Sequence, residues 1–351
     1  MEFVDDNSEF ETWLRNQCEV VEDDLAHKHK RMRKNAFIFL RATYFRWARR
    51  IETICPALKA APRVLCVGDT HIENYGTWRD LEGRLVWGIN DFDEAAVNPY
   101  PFDLVRLAAS ARLAPNMTTN NREVAAAILE GYRLGLKTPH PALLDEHQSW
   151  MRSHVACTDK ERADFWHDVE KYPTATPPRP VASALEHSLP PDAVLVRFAS
   201  RRKGGGSLGR ARFVAIADWR GGQIVREAKA LVPSAWDWAH GSQGAPRFMT
   251  LATGAYRAPD PHLALNGDFI VRRIAPDSRK VNLGERPGEL LKLDLLRAMG
   301  FDIGAIHAAT RGAFPKILAD LGKRKADWLH GAAKAAAEAV QEDFAEWRAA
   351  T

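Results

Sequence analysis

The chain has 351 residues, 46% apolar and 27% charged, with a net charge of +4. That length suits two packed lobes of a soluble protein, and the small charge excess excludes a dedicated basic nucleic-acid binder. Four cysteines, none in a C-x-x-C pair, argue against a zinc site or a disulfide scaffold and for a reducing compartment.

The N-terminus MEFVDDNSEFETW is acidic and lacks the apolar region of a secretory signal. No uncharged apolar run is long enough to cross a membrane, so the expected location is a bacterial-type cytoplasm, with no membrane partner and no nucleic-acid partner. Residues 8–53 are helical in pattern, with Phe37, Leu40, Tyr44, Trp47, Ala48 and Ile51 at three- and four-residue spacings. The basic run HKHKRMRK (27–34) reads as a solvated helix face. Pro56 and Pro62 break the chain. RVLCVGD (63–69) and RLVWGINDFD (84–93) read as strands, and a helix follows from Pro101. Helical patterns continue to about residue 172. YPTATPPRPVA (172–182) reads as a linker and domain boundary. Beyond it, 193–199, 210–219, 223–231 and 266–276 read as strands, and the chain is helical from Glu289 to its end.

The strongest chemical signal is GDTHIEN (68–74) followed by NDFDEA (90–95). Phosphoryl transfer asks little of a protein: a carboxylate to take the proton of the attacking hydroxyl, and oxygen ligands to hold magnesium against the phosphates. Asp69 and Asn74 stand five residues apart, the step of the protein-kinase D-x-x-x-x-N loop. DFD (91–93) then stands in the place of the metal-binding DFG, and hard oxygen ligands suit Mg2+.

GDTHIENYG with INDFDEAAVNPYPFDLVRLAAS resembles the catalytic core of aminoglycoside phosphotransferases and choline kinases. The chain resembles more closely the bacterial domain of unknown function 2252 family, through the GD-x-H-x-x-N-[FY]-G loop, the NDFDE strand end and the D-L-x-R-L-A-x-S helix. An upstream F-x-F-x-R segment is matched by Phe37, Phe39 and Arg41, and the likeness extends over most of the chain from about residue 30. The resemblance implies Asp69 as the catalytic carboxylate, and Asn74 and Asp91 as metal ligands assisted by Asp93. Asp103 would brace the loop by accepting backbone hydrogen bonds, and Arg106 would pair with an acidic site residue or lie exposed.

A kinase-like site also needs a lobe that grips ATP. No glycine precedes Gly68, so that lobe is expected downstream. GGGSLG (204–209) places Gly204, Gly206, Ser207 and Gly209 between two strand patterns, the arrangement of a kinase phosphate loop rather than a Rossmann turn. Lys229 in QIVREAKAL is the candidate phosphate lysine, five residues before Ser234 as in the family, with Arg226 competing for the role. Arg272 in FIVRRIAP is a candidate for the nucleotide cleft, and Arg273 a second. The plain alternatives are a hairpin tip at 204–209 and exposed surface side chains. No helical Glu is available to pair with Lys229, and Asp237 is the nearest acidic residue downstream. MGFDIGAIHAA (299–309) resembles the helix that precedes the catalytic loop in aminoglycoside kinases, yet here it comes last.

The expectation is therefore an α+β, protein-kinase-like two-lobe fold, circularly permuted. It comprises a helical catalytic lobe (1–172), a β-rich nucleotide lobe (183–284) and C-terminal helices (285–351) packing on the catalytic lobe. The expected activity is ATP- and magnesium-dependent phosphotransfer to an unknown small-molecule or protein acceptor. Nucleotidyl transfer onto protein, a nucleotide-binding pseudokinase and a metal-dependent hydrolase are the alternatives.

Overall fold

The computed structural model describes residues 2–146, 148–202, 204–242, 244–280 and 291–350. It is a mixed α+β protein with antiparallel sheets. The first half contains α1 (Phe3–Gln17), α2 (Glu22–Met32), α3 (Ala36–Ala42), α4 (Tyr44–Ile54), β1 (Arg63–Cys66), β2 (Tyr75–Arg79), β3 (Leu85–Ile89), β4 (Ala96–Pro99), α5 (Pro101–Leu113) and α6 (Asn121–Lys137). Then come β5 (Ala142–Leu143), α7 (Arg152–Val155), α8 (Asp159–Glu170), α9 (Arg179–His187), β6 (Val194–Ser200), β7 (Arg212–Trp219) and β8 (Gly222–Ala230). The remainder is α10 (Ala235–Ala239), α11 (Phe248–Ala252), β9 (Ala264–Asn266), β10 (Phe269–Ile274), β11 (Arg279–Lys280), α12 (Leu293–Ala308), α13 (Ala313–Lys323) and α14 (Trp328–Ala349). Among the described residues no helix is long and apolar enough to cross a membrane.

Local chemistry explains several boundaries. Asn35 caps α3 by accepting from Ile38 N–H at 2.9 Å, and Pro101 opens α5 where no backbone donor is needed. Thr158 and Glu161 form a capping box at α8. β5 interrupts the helical pattern expected to run to residue 172. The Pro-rich stretch expected as a linker partly runs along β6: Ser200 N–H donates to Pro173 O at 2.8 Å, and Ala175 N–H to Phe198 O at 3.2 Å. α9 begins inside that stretch, at Arg179.

One apolar core joins both ends of the chain. Phe3 of α1 packs at a tilt against Phe39 and edge-on against Trp347 of α14. Arg46 of α4 ties these helices through Asp6 (3.0 Å) and Asp343 (2.9 Å). α6 and α12 cross so closely that side chains are excluded from the contact: a Cβ on Gly131 would collide with the Arg297 carbonyl, and one on Gly304 with the Tyr132 carbonyl.

The sheets carry the rest. β11-β2-β3-β5 form one sheet and β1-β4 a two-stranded pair. The five-stranded sheet runs β6-β7-β8-β10-β9. The period of two divides its faces: Val214, Ile216, Val225 and Ile274 pack under α8, and Ala215, Ala228 and Val271 pack on α9. Further along the α8 face the alternation brings up Arg212, Glu227, Lys229 and Arg272, and the sheet turns from core to site.

Candidate functional site

A cleft of about 1050 Å³ is lined by both the loops after β1 and β3 and the five-stranded sheet. Asp69 leaves the end of β1 and is held by α5. Arg106 donates to its Oδ1 from Nε and Nη2, at 2.9 and 2.7 Å. The other oxygen, Oδ2, lies 3.7 Å from His71 Nε2 and 3.9 Å from where a Cβ on Gly206 would stand. Burial pushes the Asp69 carboxyl up despite Arg106, so its basicity is raised. At the head of α5, Asp103 accepts from Val67 and Gly68 N–H at 2.8 and 2.9 Å, the bracing expected of it. Its Oδ2 also pairs with His307 Nε2 at 3.1 Å, and His307 Nδ1 lies 3.0 Å from the Tyr132 hydroxyl. Cys66 lies beside Asp103 and His307, but its thiol is spent on Asn98 O and the other two are bonded as described. That trio packs the loop's base.

Asn74 joins the two loops. Its Nδ2 donates to the carbonyls of Asp69 and Asp91, both at 3.0 Å, and its Oδ1 faces Lys280 Nζ at 3.3 Å. Asp91 accepts from Lys229 Nζ at 3.3 Å and from Lys280 Nζ at 3.1 Å. Burial alone would push the Asp91 carboxyl up; Lys229, Lys280 and Arg272 outweigh it and hold it well below its ordinary value. Asp93 Oδ2 lies 2.6 Å from Lys229 Nζ and 3.2 Å from Arg210 Nη1, while its Oδ1 is buried without a hydrogen-bond partner. Glu94, by contrast, is pushed up to about 7 by burial, against the pull of Arg210 and of the Ala235 N–H bonded to it at 2.7 Å.

This donor set suits a hard divalent cation. Asn74 Oδ1 and Asp91 Oδ2 converge on one cation already, the Lys280 ammonium. The orphaned Asp93 Oδ1 supplies a further carboxylate oxygen without a donor of its own.

The glycine loop joins β6 to β7, a strand–turn–strand arrangement. Gly204 and Gly209 take left-handed φ of +106° and +98°, which a side chain resists. α2 and the residue before it hold both ends: Arg31 Nη1 donates to Gly204 O at 3.0 Å and Val21 N–H to Gly209 O at 2.8 Å. The expectation of a solvated basic face on α2 is thereby corrected. Lys28 is 2% exposed, its ammonium 5.9 Å from the Phe10 and Phe45 ring centres, and burial lowers it to about 8. Ser207 Oγ accepts from Arg212 Nη2 at 3.2 Å.

Asp69, Asn74, Asp91, Asp93, Gly204, Gly206 and Ser207 line one cleft, and Lys229 is bonded to Asp91 and Asp93 at its floor. Some details differ from the expectation. Asp237 is not the partner of Lys229; it binds Ser242 Oγ at 2.7 Å and Arg247 at 3.4 Å, and the lysine goes to Asp91 and Asp93. Arg226 cannot compete with Lys229. An odd number of positions separates them on β8, so Arg226 points to the opposite face and donates to Ser188 O at 3.1 Å. Arg273 also lines the cleft, where it pairs with Asp260 at 3.0 Å. Arg272 faces the cleft but is bonded to Glu227. Sequence reasoning missed Lys280, Arg210, Arg201, Arg212 and Glu227. Alternation along β7, β8 and β10 carries the signal for Arg212 and Glu227; nothing local marks Lys280.

Residues 20–162 match the family described as "Uncharacterized protein conserved in bacteria (DUF2252)". That match is shorter than the likeness read from the motifs: it includes Asp69, Asn74 and Asp91 and ends before the glycine loop and Lys229. No curated protein and no solved structure matches the chain.

Proposed function

We propose that this cleft is a kinase-like phosphotransferase site that uses ATP and magnesium, built in a circularly permuted two-lobe arrangement. One observation supports the reading: Asp69, Asn74 and Asp91, from the loops after β1 and β3, line one cleft with the strand–glycine–strand loop, and Lys229 of the central strand β8 is bonded to Asp91. Positioned donors and cations are what phosphoryl transfer requires. The chain order, with this loop after the acidic motifs and with α12 after both, fits permutation, because termini that share one core permit it.

In the proposed reaction the acceptor oxygen attacks the γ-phosphorus, a new O–P bond forms, and the bond to the bridging oxygen of ADP breaks. Asp69 Oδ2 takes the acceptor's proton and releases it to solvent; Arg106 keeps Oδ1 occupied, so the carboxylate presents one oxygen. Asn74, Asp91 and Asp93 would hold magnesium, which neutralises charge on the phosphates. The acceptor is a small molecule or a protein, and the expected setting is the cytoplasm.

A nucleotide-binding protein without turnover is the second reading. It is favoured by the pairing of Lys229 with Asp91 and Asp93 in place of a helical Glu. Titration calorimetry with magnesium and ATP on wild type, Asp91→Ala and Lys229→Ala tests the site. Wild type is expected to bind and both variants to lose most of the magnesium-dependent affinity. Absence of magnesium-dependent binding to wild type overturns the proposal. An acceptor screen that reads ADP against pyrophosphate release then separates phosphoryl transfer, nucleotidyl transfer and no turnover.

A further inference from the structure

Glu227 is fully buried, and three arginines converge on it. Arg201 Nη1 donates to Oε2 at 2.6 Å; Arg212 Nη1 and Arg272 Nη2 donate to Oε1 at 3.1 and 2.7 Å. Burial would push this carboxyl up, but Arg212, Arg272 and Arg201 together hold it well below its ordinary value. Within this cluster one carboxylate answers three guanidinium groups, and Asp91 and Asp93 act on Arg272 as well. Arg212 is buried while Arg201 and Arg272 are partly exposed to the cleft, so an anion there can reach this charge. Glu227 and Lys229 also lie on one face of β8, two positions apart, and Lys229 is already bonded to Asp91 and Asp93.

We infer that the polyphosphate of the cleft's ligand is gripped by the guanidinium cradle of Arg201, Arg212 and Arg272, with Glu227 as the positioning residue, and that Lys229 serves the metal-binding carboxylates instead. This deepens the kinase-like reading and rests on it for the nucleotide. All three arginines line the cleft. Arg212 also reaches Ser207 of the glycine loop at 3.2 Å, so cradle and loop close on the same space. The planar guanidinium presents five N–H donors. Bonding to Glu227 therefore fixes its plane while leaving donors for phosphate oxygens. A lysine held by two carboxylates has its charge answered already.

The test is a binding ladder on the full chain, using AMP, ADP and ATP with magnesium, and pyrophosphate alone. Wild-type affinity is expected to rise with each added phosphate. Arg201→Ala and Arg212→Lys are expected to flatten the ladder, each losing about tenfold for ATP and pyrophosphate while AMP binding is little changed. Glu227→Gln, which keeps the shape and removes the charge, is expected to flatten it too; a merely structural role would lower melting temperature without changing the ATP-to-AMP ratio. Lys229→Met is expected to keep pyrophosphate binding and to lose the magnesium dependence. An unchanged ladder in Arg201→Ala and Arg212→Lys overturns the cradle and leaves the nucleotide reading standing. Cradle-dependent pyrophosphate binding with no preference for the nucleotides supports the cradle and overturns the kinase-like reading. No binding of any probe to wild type overturns both.

Discussion

The α6–α12 contact and the cleft floor are both buried, and they are built on opposite physics. At the glycine positions between the helices stability comes from backbones in contact, with glycine the residue that fits, and the Glu130–Arg297 ion pair (3.0 Å) is partly exposed beside them. On the cleft floor the charged side chains are ordered by pairing: Lys229 on Asp91 and Asp93, Arg106 on Asp69, three arginines on Glu227. The first region tolerates no added volume. The second tolerates no unanswered charge, and its pairs can be exchanged for ligand charges. A contact of backbone on backbone has no charge to exchange, so chemistry gathers in the cleft.

The largest break in that comparison is expected at Asp69. Asp69→Asn keeps the shape and the nucleotide site, removes the proton acceptor, and is expected to lower turnover by about 10²–10⁴-fold with ATP affinity nearly unchanged in calorimetry. A variant with wild-type turnover would remove Asp69 from the chemistry. Next in size is a stability effect at the helix contact. Gly304→Ala drives a methyl into the Tyr132 carbonyl and is expected to cost about 1–3 kcal/mol in urea unfolding, with the nucleotide affinity of the folded protein preserved. An equal loss of ligand affinity would show the two regions to be coupled.

The smallest effect sharpens the contrast within the cleft. Glu94, raised to about 7, binds a proton in the folded state that the unfolded chain has already lost above its ordinary value of 4.5. Its contribution is therefore full below that ordinary value and is lost as pH rises through about 7. Asp91, held low, behaves oppositely: its contribution is present above 3.8 and is lost as pH falls through its folded value. Glu94→Gln is expected to gain on wild type in melting temperature between about pH 5 and pH 8. A difference that is flat with pH would mean that Glu94 titrates normally.

Much of the floor was legible because its residues lie close in the chain. Asp69, Asn74, Asp91 and Asp93 fall within two adjacent loops, and strand ends followed by polar loops make those loops readable. Lys229 was legible through its strand and its five-residue step to Ser234. Its partners were not, because an ion pair between residue 229 and residues 91 and 93 depends on how the sheet docks over the loops. The same holds for Lys280, whose neighbours at 74 and 91 are far away in sequence. The buried lysine of α2 misled for a related reason: a basic run looks solvated until aromatic residues from α1 and α4 close over one member of it.

The sequence by itself determined the α+β content, the two acidic loops and the glycine turn, since these follow from periodicity, strand ends and φ preferences, all local quantities. Tertiary structure decided which cation answers which carboxylate, that His307 of α12 sits under Asp103, and that Glu227 gathers three arginines instead of pairing with Lys229. Those outcomes depend on through-space distance and burial, which set the strength of every charge pair and which no local pattern along the chain encodes.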